Sequence, residues 1–348
     1  VWARNPSGNI NSNVNDQDLY IEAILNTRDA PGNSSPIFTV PPVPYICLNI
    51  PFTYNNGAMD PDGDSVVIRL IQPMGDNSFG SGRCDFANFP IPFRPTVPPY
   101  NLADNPLACG NSFQLDPHTG QMSYTPTVQQ WAVLTIRADE YRNGHLIGSV
   151  MRDLQTIILP CNIQQPVLHK DTAGITGASW TNGRIEVCAG AEMIFCYNAT
   201  SGGANPSLVL SDNSAAVLPG SSVQYTGQNT ANVRGCVRWK PTALDTGLRV
   251  LTVSVRDVVC DAPGVVVTQT FSVPVLVRPG TMAFKDTAIC RGASVPLLAA
   301  GGTQFTWDVL PGGSPLSSLS CTNCNNPTAT PDRSTAYVVR SNLTNVYG

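Results

Sequence analysis

Apolar and polar residues alternate along this chain in many short runs, and glycine, proline, asparagine or serine bounds each run. Clear examples cover residues 65–71, 133–139, 184–188 and 250–257. A period of two is typical of β-strands with one buried face, and no stretch with helical periodicity is longer than one turn. The pattern therefore predicts an all-β protein, built as a series of tandem β-sandwich domains.

Two stretches of the chain repeat each other. Tyr124-Thr125-Pro126-Thr127 precedes the alternating run 133–139, and Trp239-Lys240-Pro241-Thr242 precedes the alternating run 250–257. Both runs end on an aspartate, Asp139 in the first and Asp257 in the second. A turn and its following strand that occur twice form a building unit, which indicates architecture rather than catalysis.

The strand pattern divides the chain into a leading segment and three domains. Residues 1–32 contain one strand, over 19–25, which we assign to the end of a preceding domain. Residues 33–163 form the first domain, with a disulfide-bonded insertion, 164–278 the second, and 279–348 a third that is incomplete at its C-terminus. The chain has no initiator methionine and stops within a strand-like pattern. We expect a segment of a larger secreted protein.

Composition narrows the functional classes. Only 13% of the 348 residues are charged, against roughly 25% in an average soluble protein. Glycine and proline are frequent, at 29 and 30 residues, as expected for a β-protein with many turns. A net charge of −4 offers no basic surface for nucleic acid. No apolar run approaches the roughly 18 residues that a membrane span requires.

Eleven cysteines indicate an oxidising compartment. A zinc site would need a second closely spaced pair beside Cys321 and Cys324, or a nearby histidine, and neither is present in the sequence. Matching cysteines at similar strand positions predicts five disulfides: Cys47–Cys161, Cys84–Cys109, Cys188–Cys260, Cys196–Cys236 and Cys321–Cys324. Other pairings stay open. Cys290 stands where Cys47 and Cys188 stand in their domains, so we expect its partner in a closing strand beyond Gly348.

An acidic turn is the clearest candidate for chemistry. Asp60, Asp62 and Asp64 occupy alternate positions around Gly63, and such a cluster repels itself unless a cation or a cationic side chain lies among the oxygens. Calcium suits flexible oxygen ligands, and extracellular modules bind it at about 10⁻⁴–10⁻³ M. We predict a calcium site of Asp60, Asp62, Asp64 and Asp139, to which Glu140 and the segment at Asn33 are further candidates. The alternative is a solvated turn without metal.

Other residue types suggest no catalytic centre. Trp131, Trp239 and Trp307 could stack on sugars, but each lies in or beside a strand with apolar partners, which favours core packing. His118 and His145 lie in turns without a nucleophile nearby in the sequence. Asn33, Asn198 and Asn342 match the eukaryotic N-glycosylation pattern, which an Asn-, Ser- and Thr-rich chain also produces by chance.

Several of these motifs together resemble a known group of proteins. Asn33-Ser34-Ser35-Pro36-Ile37-Phe38, Tyr45-Ile46-Cys47 and the acidic turn are similar to segments of the very large secreted surface proteins of Bacteroidota. Those proteins are described as gliding-motility-associated, or as carrying cadherin-like and PKD-like domains. Residues 140–155, Ile289-Cys290-Arg291-Gly292, the segment 321–327 and the strand 335–339 are also similar to them, the last three to their PKD/Ig-like repeat. Residues 116–126 are similar to Ig domains of bacterial surface proteins.

The resemblance implies cadherin-like and Ig-like sandwiches, export by type IX secretion, and a role in adhesion, gliding or an extracellular assembly. It also implies O-glycosylation at Asp-Ser/Thr-apolar motifs, which occur here at Ser65, Thr172 and Thr287. The implied partners are further domains of the same long chain, other copies in a surface fibre, or a surface or secretion-machinery component.

We therefore expect a non-catalytic structural or adhesive segment, located at the cell surface or outside the cell. A variant of this hypothesis makes the domains protomers of a filament, joined by strand addition or lateral packing. The competing hypothesis is a carbohydrate-binding module of a secreted enzyme. That function would need an exposed row of aromatic residues beside polar side chains.

Overall fold

Short strands form nearly all of the regular structure. The computed structural model describes residues 18–76, 88–94, 99–161, 164–203, 206–257, 266–283, 286–300 and 304–341. Within these residues there is one single-turn helix, α1 (Ser214–Val217), and two 3₁₀ turns, Ala243–Asp245 and Leu316–Ser318. The predicted all-β, disulfide-bonded fold is confirmed. None of the described helices is long and apolar enough to span a bilayer.

The first unit is a β-sandwich whose core lies between two sheets. Its strands are β1 (Asp18–Tyr20), β2 (Ala23–Leu25), β3 (Ile37–Phe38), β4 (Tyr45–Cys47), β5 (Phe52–Asn55), β6 (Ala58–Met59), β7 (Ser65–Ile71), β8 (Met74–Asp76), β9 (Asn88–Pro90), β10 (Gln114–Leu115), β11 (Gln121–Tyr124), β12 (Gln130–Arg142) and β13 (His145–Leu159). One sheet has the order β2-β13-β12-β7, with β4 parallel to β13, and the other has the order β10-β11-β5.

Period-two alternation builds the core of this unit. Every second side chain of β12, from Ala132 through Leu134 and Ile136 to Ala138, points inward and is fully or almost fully buried. Aromatic side chains of β5 and β11, among them Tyr124, face them from the opposite sheet. The outward row of β12 forms its own small cluster, in which Val133 packs against Ile91. Consecutive residues of β12 therefore point to opposite sides of the sheet, one row into the core and the other into this outer cluster.

The second unit repeats the sandwich plan with a larger core. Its strands are β14 (Val167–Thr176), β15 (Ser179–Thr181), β16 (Arg184–Cys188), β17 (Met193–Thr200), β18 (Leu208–Asp212), β19 (Ser222–Thr226), β20 (Asn232–Trp239), β21 (Gly247–Asp257) and β22 (Val267–Arg278). They form two sheets, β14-β17-β20-β19 and β15-β16-β22-β21-β18. Buried Tyr197 lies against Gly235, which has no side chain to displace the ring. The hydroxyls of Tyr197 and Tyr225 both donate to Asp212 Oδ2.

The third unit is smaller. Its strands are β23 (Met282–Ala283), β24 (Val295–Pro296), β25 (Ala299–Ala300), β26 (Phe305–Val309), β27 (Thr328–Ala329) and β28 (Tyr337–Ser341), and they pair as β23-β25, β24-β27 and β26-β28. The core contains Phe305, Trp307, Leu319 and Ala329. The Trp307 indole N–H donates to the carbonyl oxygen of Cys324 at 2.8 Å.

The N-terminal segment differs from the prediction. In place of one strand of a preceding domain, the described residues form β1 and β2, and both pair with strands of the first unit. β1 is antiparallel to β8, and β2 is antiparallel to β13, where Leu25 lies opposite Gly148. Sequence periodicity does not reveal which partner a short strand chooses, so this pairing was not predicted.

Three disulfides join described cysteines. Cys47–Cys161 ties β4 to the segment just after β13, Cys196–Cys236 is a cross-strand bond between β17 and β20, and Cys321–Cys324 closes a small loop. The other two predicted pairs are Cys84–Cys109 and Cys188–Cys260. In each of them one cysteine, Cys84 or Cys260, lies outside the described residues. Cys109 is buried in the core of the first unit, with its sulfur 3.3 Å from the carbonyl oxygen of Asp104.

A polar seam joins the first two units. It consists of Thr53, Asn55 and Gln121 on one side and Gln269 and Ser272 of β22 on the other. Gln269 Oε1 accepts hydrogen bonds from the backbone N–H and the hydroxyl of Thr53, at 3.0 and 2.5 Å. Ser272 Oγ accepts from Asn55 Nδ2 and donates to Gln121 Oε1 at 2.8 Å. The side chains of β22 thus form hydrogen bonds with polar groups along β5, which is an edge strand of the sheet β10-β11-β5.

Candidate metal centre

The acidic turn between β6 and β7 folds around its first carboxylate. Asp60 Oδ1 accepts hydrogen bonds from the backbone N–H groups of Asp62 and Asp64, at 2.8 and 3.0 Å. Gly63 between them has a φ of +88°, which the turn requires and which other residues rarely adopt. These bonds hold Asp60 in place, buried, and its second oxygen, Oδ2, has no hydrogen-bond partner.

Strand β12 brings a second carboxylate to the turn, and it is Glu140 rather than Asp139. Glu140 continues the inward row that ends at Ala138 and is completely buried. Asp139 points to the outer face, where it accepts from Arg69 Nε at 2.8 Å and from Arg137 Nε at 2.6 Å. The structure therefore places Asp139, predicted as a metal ligand, on the opposite face of β12 from Glu140, because side chains of consecutive strand residues point to opposite faces.

Three carboxylates converge in one cluster. Asp60, Asp64 and Glu140 each place an oxygen within 4.8 Å of the other two. Asp62 is not in this group, contrary to the prediction: it is exposed, and its carboxylate accepts a hydrogen bond from the Ser34 backbone N–H at 2.6 Å. We call Asp60, Asp64 and Glu140 the acidic cluster.

Neighbouring residues hold Glu140 in position. Asn33 Nδ2 donates to Glu140 Oε1 at 2.7 Å, so the buried Asn33 orients one oxygen of the carboxylate. The other oxygen, Oε2, is buried without a hydrogen-bond partner. Gly148, opposite Glu140 in the ladder of β13, leaves the space that Oε2 occupies, since a Cβ atom there would overlap it. Two carboxylate oxygens, Asp60 Oδ2 and Glu140 Oε2, are thus buried and unpaired.

Burial and mutual repulsion change the acidity of the cluster. Burial, with the nearby charges of Asp60 and Asp64, raises the pKa of Glu140 from 4.5 to about 7. Burial also raises the pKa of Asp60, although its two backbone N–H donors act in the opposite direction. The cluster therefore favours any arrangement that brings positive charge, either a proton or a cation, to the unpaired oxygens.

Arg142 already supplies one positive charge at the edge of the cluster. Its guanidinium donates to both carboxylate oxygens of Asp64, at 2.9 Å from Nε and 2.5 Å from Nη2. Nη2 also donates to Asn33 Oδ1 at 2.7 Å. Arg142 does not reach the unpaired oxygens of Asp60 and Glu140, so the need for a second positive charge persists.

The donor set fits a hard divalent cation. Calcium binds six to eight oxygen ligands with flexible geometry, and carboxylates are its preferred protein ligands. The acidic cluster offers three carboxylates, and Asn33 Oδ1 is a further oxygen beside them. A cavity of about 190 Å³ lies next to Asp60 and Asp64 and extends to Gly247 and Arg249 of the second unit. An ion bound at the cluster would thus lie close to the junction of the two units.

The remaining predicted residues lie away from this cluster or do not support a second site. Trp239 and Trp307 are buried, and Trp131 packs partly buried against the outer cluster of β12. His118 is exposed in a turn, and His145 is exposed at the start of β13. Of the O-glycosylation candidates, Ser65 and Thr287 are exposed and Thr172 is half-buried in β14. Asn33 is buried and hydrogen-bonded, which leaves no room for a glycan.

No family model and no curated protein matches the chain. Among solved structures, it is similar to extracellular cadherin domains 1–5 of protocadherin gamma B2, with 12% identity over 88% of this chain and 56% of that chain and a TM-score of 0.26. It is also similar to the human desmocollin-1 ectodomain, with 12% identity, 89% and 59% coverage and a TM-score of 0.25. It is similar as well to mouse cadherin-23 domains 22–24, with 15% identity over 86% of this chain and 90% of that chain and a TM-score of 0.23.

The chain thus spans about half the length of the protocadherin fragment. At 12–15% identity and with TM-scores below 0.5, these structures assign no function to the chain.

Proposed function

We propose that this chain is a non-catalytic segment of an extracellular structural or adhesive protein, in which the first unit binds calcium through Asp60, Asp64 and Glu140. The bound ion would supply positive charge to buried oxygens that otherwise have none. Asn33 orients Glu140, and the loop N–H groups orient Asp60, so the protein itself holds the ligands in place before an ion arrives.

The cation assignment rests on one observation, which is the pair of buried, unpaired oxygens in the same cluster. Leaving one buried charged acceptor without a partner costs on the order of 1–3 kcal/mol or more. Neither Asp60 Oδ2 nor Glu140 Oε2 accepts a hydrogen bond from a donor among the described residues. A divalent cation between the two carboxylates would supply positive charge to both oxygens at once. Arg142 does not supply it, because its guanidinium already pairs with Asp64.

The structural role is supported by the polar seam. Gln269 is buried, and besides its bonds to Thr53 its Nε2 donates to the carbonyl oxygen of Pro51 at 3.1 Å and to Gln165 Oε1. A side chain that satisfies the backbone of a neighbouring unit fixes the two units relative to each other. Units that are fixed in this way transmit force and keep their spacing, as a structural or adhesive segment requires.

The competing carbohydrate-binding function finds less support. Trp239 is 1% exposed and Trp307 is 3% exposed, and each indole N–H is used inside its own unit. Neither ring therefore offers a face for stacking on a sugar. A glycan-binding assay with the intact chain that gave saturable binding would favour this second function.

The proposal also includes three properties that the sequence resemblance implies for this chain. They are export by type IX secretion in a member of Bacteroidota, a part in gliding or in a surface fibre, and O-glycosylation at Ser65, Thr172 and Thr287. The exposure of Ser65 and Thr287 is compatible with modification. Three disulfides support a location in an oxidising compartment.

Calorimetry of the intact chain tests the calcium site. At 10 mM calcium and a Kd of 10⁻⁴–10⁻³ M, binding to the folded state should add about 1.4–2.7 kcal/mol to the stability of the first unit. We expect a higher melting temperature in calcium than in chelator for the parent chain, and no such shift for Glu140→Gln. An unchanged melting temperature of the parent chain contradicts the calcium site.

The same instrument tests the seam. The parent chain should show one joint transition for the first and second units. Gln269→Ala should separate or lower that transition, because the N–H of the half-buried Thr53 and the carbonyl of the exposed Pro51 lose their partner, at about 1 kcal/mol for each lost hydrogen bond. Gln164→Ala, at an exposed position in the same region of the second unit, is the control. If the parent units already melt independently, the seam does not couple them.

A further inference from the structure

The three disulfides between described cysteines differ in what they hold together. Cys47–Cys161 and Cys196–Cys236 join residues 114 and 40 positions apart, whereas Cys321 and Cys324 are 3 positions apart. The first two tie distant parts of a sandwich to each other. The third closes only one turn of the third unit, so the tertiary fold contributes little to it.

The length of the closed loop sets how strongly folding protects each bond. In the chain-entropy model, a disulfide restricts the unfolded chain by a factor that grows with the 3/2 power of the loop length. By linkage, the folded state favours the bond by the same factor by which the bond favours the folded state. Sequence separations of 3, 40 and 114 then give Cys321–Cys324 about 50-fold less protection than Cys196–Cys236 and about 230-fold less than Cys47–Cys161.

The Cys321–Cys324 disulfide is also the one that lies nearest to solvent. Both cysteines are half-buried, and the two residues between them are exposed. Each of the other two disulfides has a buried cysteine, Cys47 at 3% and Cys196 at 7% exposure. Thiol–disulfide exchange requires that an incoming thiolate reach one sulfur of the bond. An external thiol therefore reaches Cys321–Cys324 most easily.

Hydrogen bonds hold this turn in place independently of its sulfur atoms. The buried Trp307 donates its backbone N–H to the carbonyl oxygen of Thr322 and its indole N–H to that of Cys324, each at 2.8 Å. The backbone N–H of buried Ala299 donates to the carbonyl oxygen of Asn325 at 2.7 Å. The two cysteines should therefore keep their spacing after reduction, so that the bond can form again.

Ser320 distinguishes the two sulfurs of the pair. Its backbone N–H donates to the carbonyl oxygen of Thr328, and its Oγ accepts from the Thr328 N–H, both at 2.9 Å, so the side chain is fixed. The Ser320 hydroxyl donates to Cys321 Sγ at 3.9 Å. A donor at this sulfur stabilises the negative charge that it takes up when the S–S bond breaks. Cys321 is therefore the leaving thiolate, and Cys324 is the sulfur that is attacked.

We propose that Cys321–Cys324 is a redox-active site that exchanges its disulfide with a dithiol, whereas Cys47–Cys161 and Cys196–Cys236 are structural. The substrate is a molecule with two neighbouring thiols, because the second thiol is needed to resolve the mixed disulfide. This activity goes beyond the structural or adhesive role and depends on neither the acidic cluster nor the polar seam.

The exchange is balanced without a further oxidant. The first thiolate of the substrate attacks Cys324 Sγ, the S–S bond breaks, and Cys321 leaves as a thiolate that takes up a proton. The second thiolate attacks the substrate sulfur of the mixed disulfide, and Cys324 leaves and takes up a proton. The substrate loses two electrons and two protons and becomes a disulfide, while the protein becomes a dithiol. An oxidised substrate reverses both steps.

Equilibration of the intact chain with dithiothreitol redox buffers tests the proposal. Samples are quenched with acid, thiols are alkylated, and the peptides of each cysteine are quantified by mass spectrometry. We expect half-reduction of Cys321–Cys324 at a ratio of reduced to oxidised dithiothreitol about 50-fold lower than for Cys196–Cys236, and full recovery in oxidised dithiothreitol. An equal or higher ratio, or a pair that does not re-form, would overturn the proposal.

A brief reaction with glutathione tests the assigned direction. Glutathione has a single thiol and leaves a mixed disulfide, which we expect mainly on Cys324. Ser320→Ala should slow this reaction severalfold, whereas Ser317→Ala, at an exposed position of the same segment, should leave its rate unchanged. Glutathione mainly on Cys321, or equal rates for the two variants, contradicts the role of Ser320.

Hydrogen exchange tests whether the turn persists without the bond. In the double variant Cys321→Ser, Cys324→Ser, the amides of Trp307 and Ala299 should exchange within about threefold of their rates in the parent chain, because their acceptors stay in place. Amides of β21 in the second unit are the control. Loss of protection at Trp307 and Ala299 alone would show that the disulfide holds the turn, and would overturn its assignment as an exchangeable bond.

Discussion

Replacing Glu140 by glutamine should stabilise the chain in the absence of metal at alkaline pH. The Glu140 carboxylate is fully buried beside Asp60, and one of its oxygens has no hydrogen-bond partner. A glutamine of the same shape could still accept from Asn33 Nδ2, while its amide nitrogen could donate to Asp60 Oδ2. The substitution thus takes away one buried charge and supplies a donor where the parent chain has none.

The magnitude follows from the pKa of Glu140. Its folded-state pKa of about 7 lies above the usual value of 4.5, so the folded state binds a proton more tightly than the unfolded state. The stability from this proton is complete below pH 4.5 and is lost as the pH rises through 7. A difference of about 2.5 in pKa corresponds to at most about 3.4 kcal/mol, and screening by solvent lowers the expected loss to about 1–3 kcal/mol.

Thermal unfolding in chelator at pH 5 and at pH 8 measures this effect. We expect the melting temperature of Glu140→Gln to exceed that of the parent by about 2–10 °C at pH 8, and the two to converge toward pH 5. Asp62→Asn is a matched control, because Asp62 is exposed and outside the acidic cluster, and it should show no such pH-dependent difference. A Glu140→Gln variant that is less stable than the parent at pH 8 refutes the reasoning.

Two further substitutions test the geometry of the site and of the second core. Asp139→Asn should leave the calcium-dependent shift in melting temperature intact, because Asp139 faces Arg69 and Arg137 on the outer side of β12; loss of the shift would place Asp139 in the site. Gly235→Ala should destabilise the second unit by about 1–3 kcal/mol in denaturant unfolding, since its Cβ would overlap the Tyr197 ring, whereas Gly203→Ala meets no such neighbour; equal effects would contradict this.

Much of the fold is predictable from alternation alone. The inward row of β12 contains small and branched apolar residues, and this composition by itself indicates a buried face. The same row identifies Glu140 as the inward carboxylate, because it lies two positions after Ala138. Asp139, one position earlier, points to the opposite face of the strand. The turn at Asp60 was recognisable because its carboxylates and glycine lie close together in the sequence.

The remaining features depend on contacts that leave no local signature. Arg142 reaches Asp64 across 78 positions, and Gln269 reaches Thr53 across 216. A buried glutamine in a strand breaks the alternation of apolar and polar residues, and the sequence does not show which distant group it binds. The pairing of β1 and β2 with the first unit has the same origin, since strands of three residues carry too little pattern to choose a partner.

Anomalous diffraction from crystals grown with calcium tests the central claim most directly. We predict a peak at the acidic cluster, with oxygens of Asp60, Asp64 and Glu140 about 2.3–2.6 Å from the ion. Crystals of Glu140→Gln grown in the same solution should lack this peak. Strong anomalous signal elsewhere, or none at the cluster while Asp60 Oδ2 and Glu140 Oε2 stay close together, would contradict calcium binding by this chain.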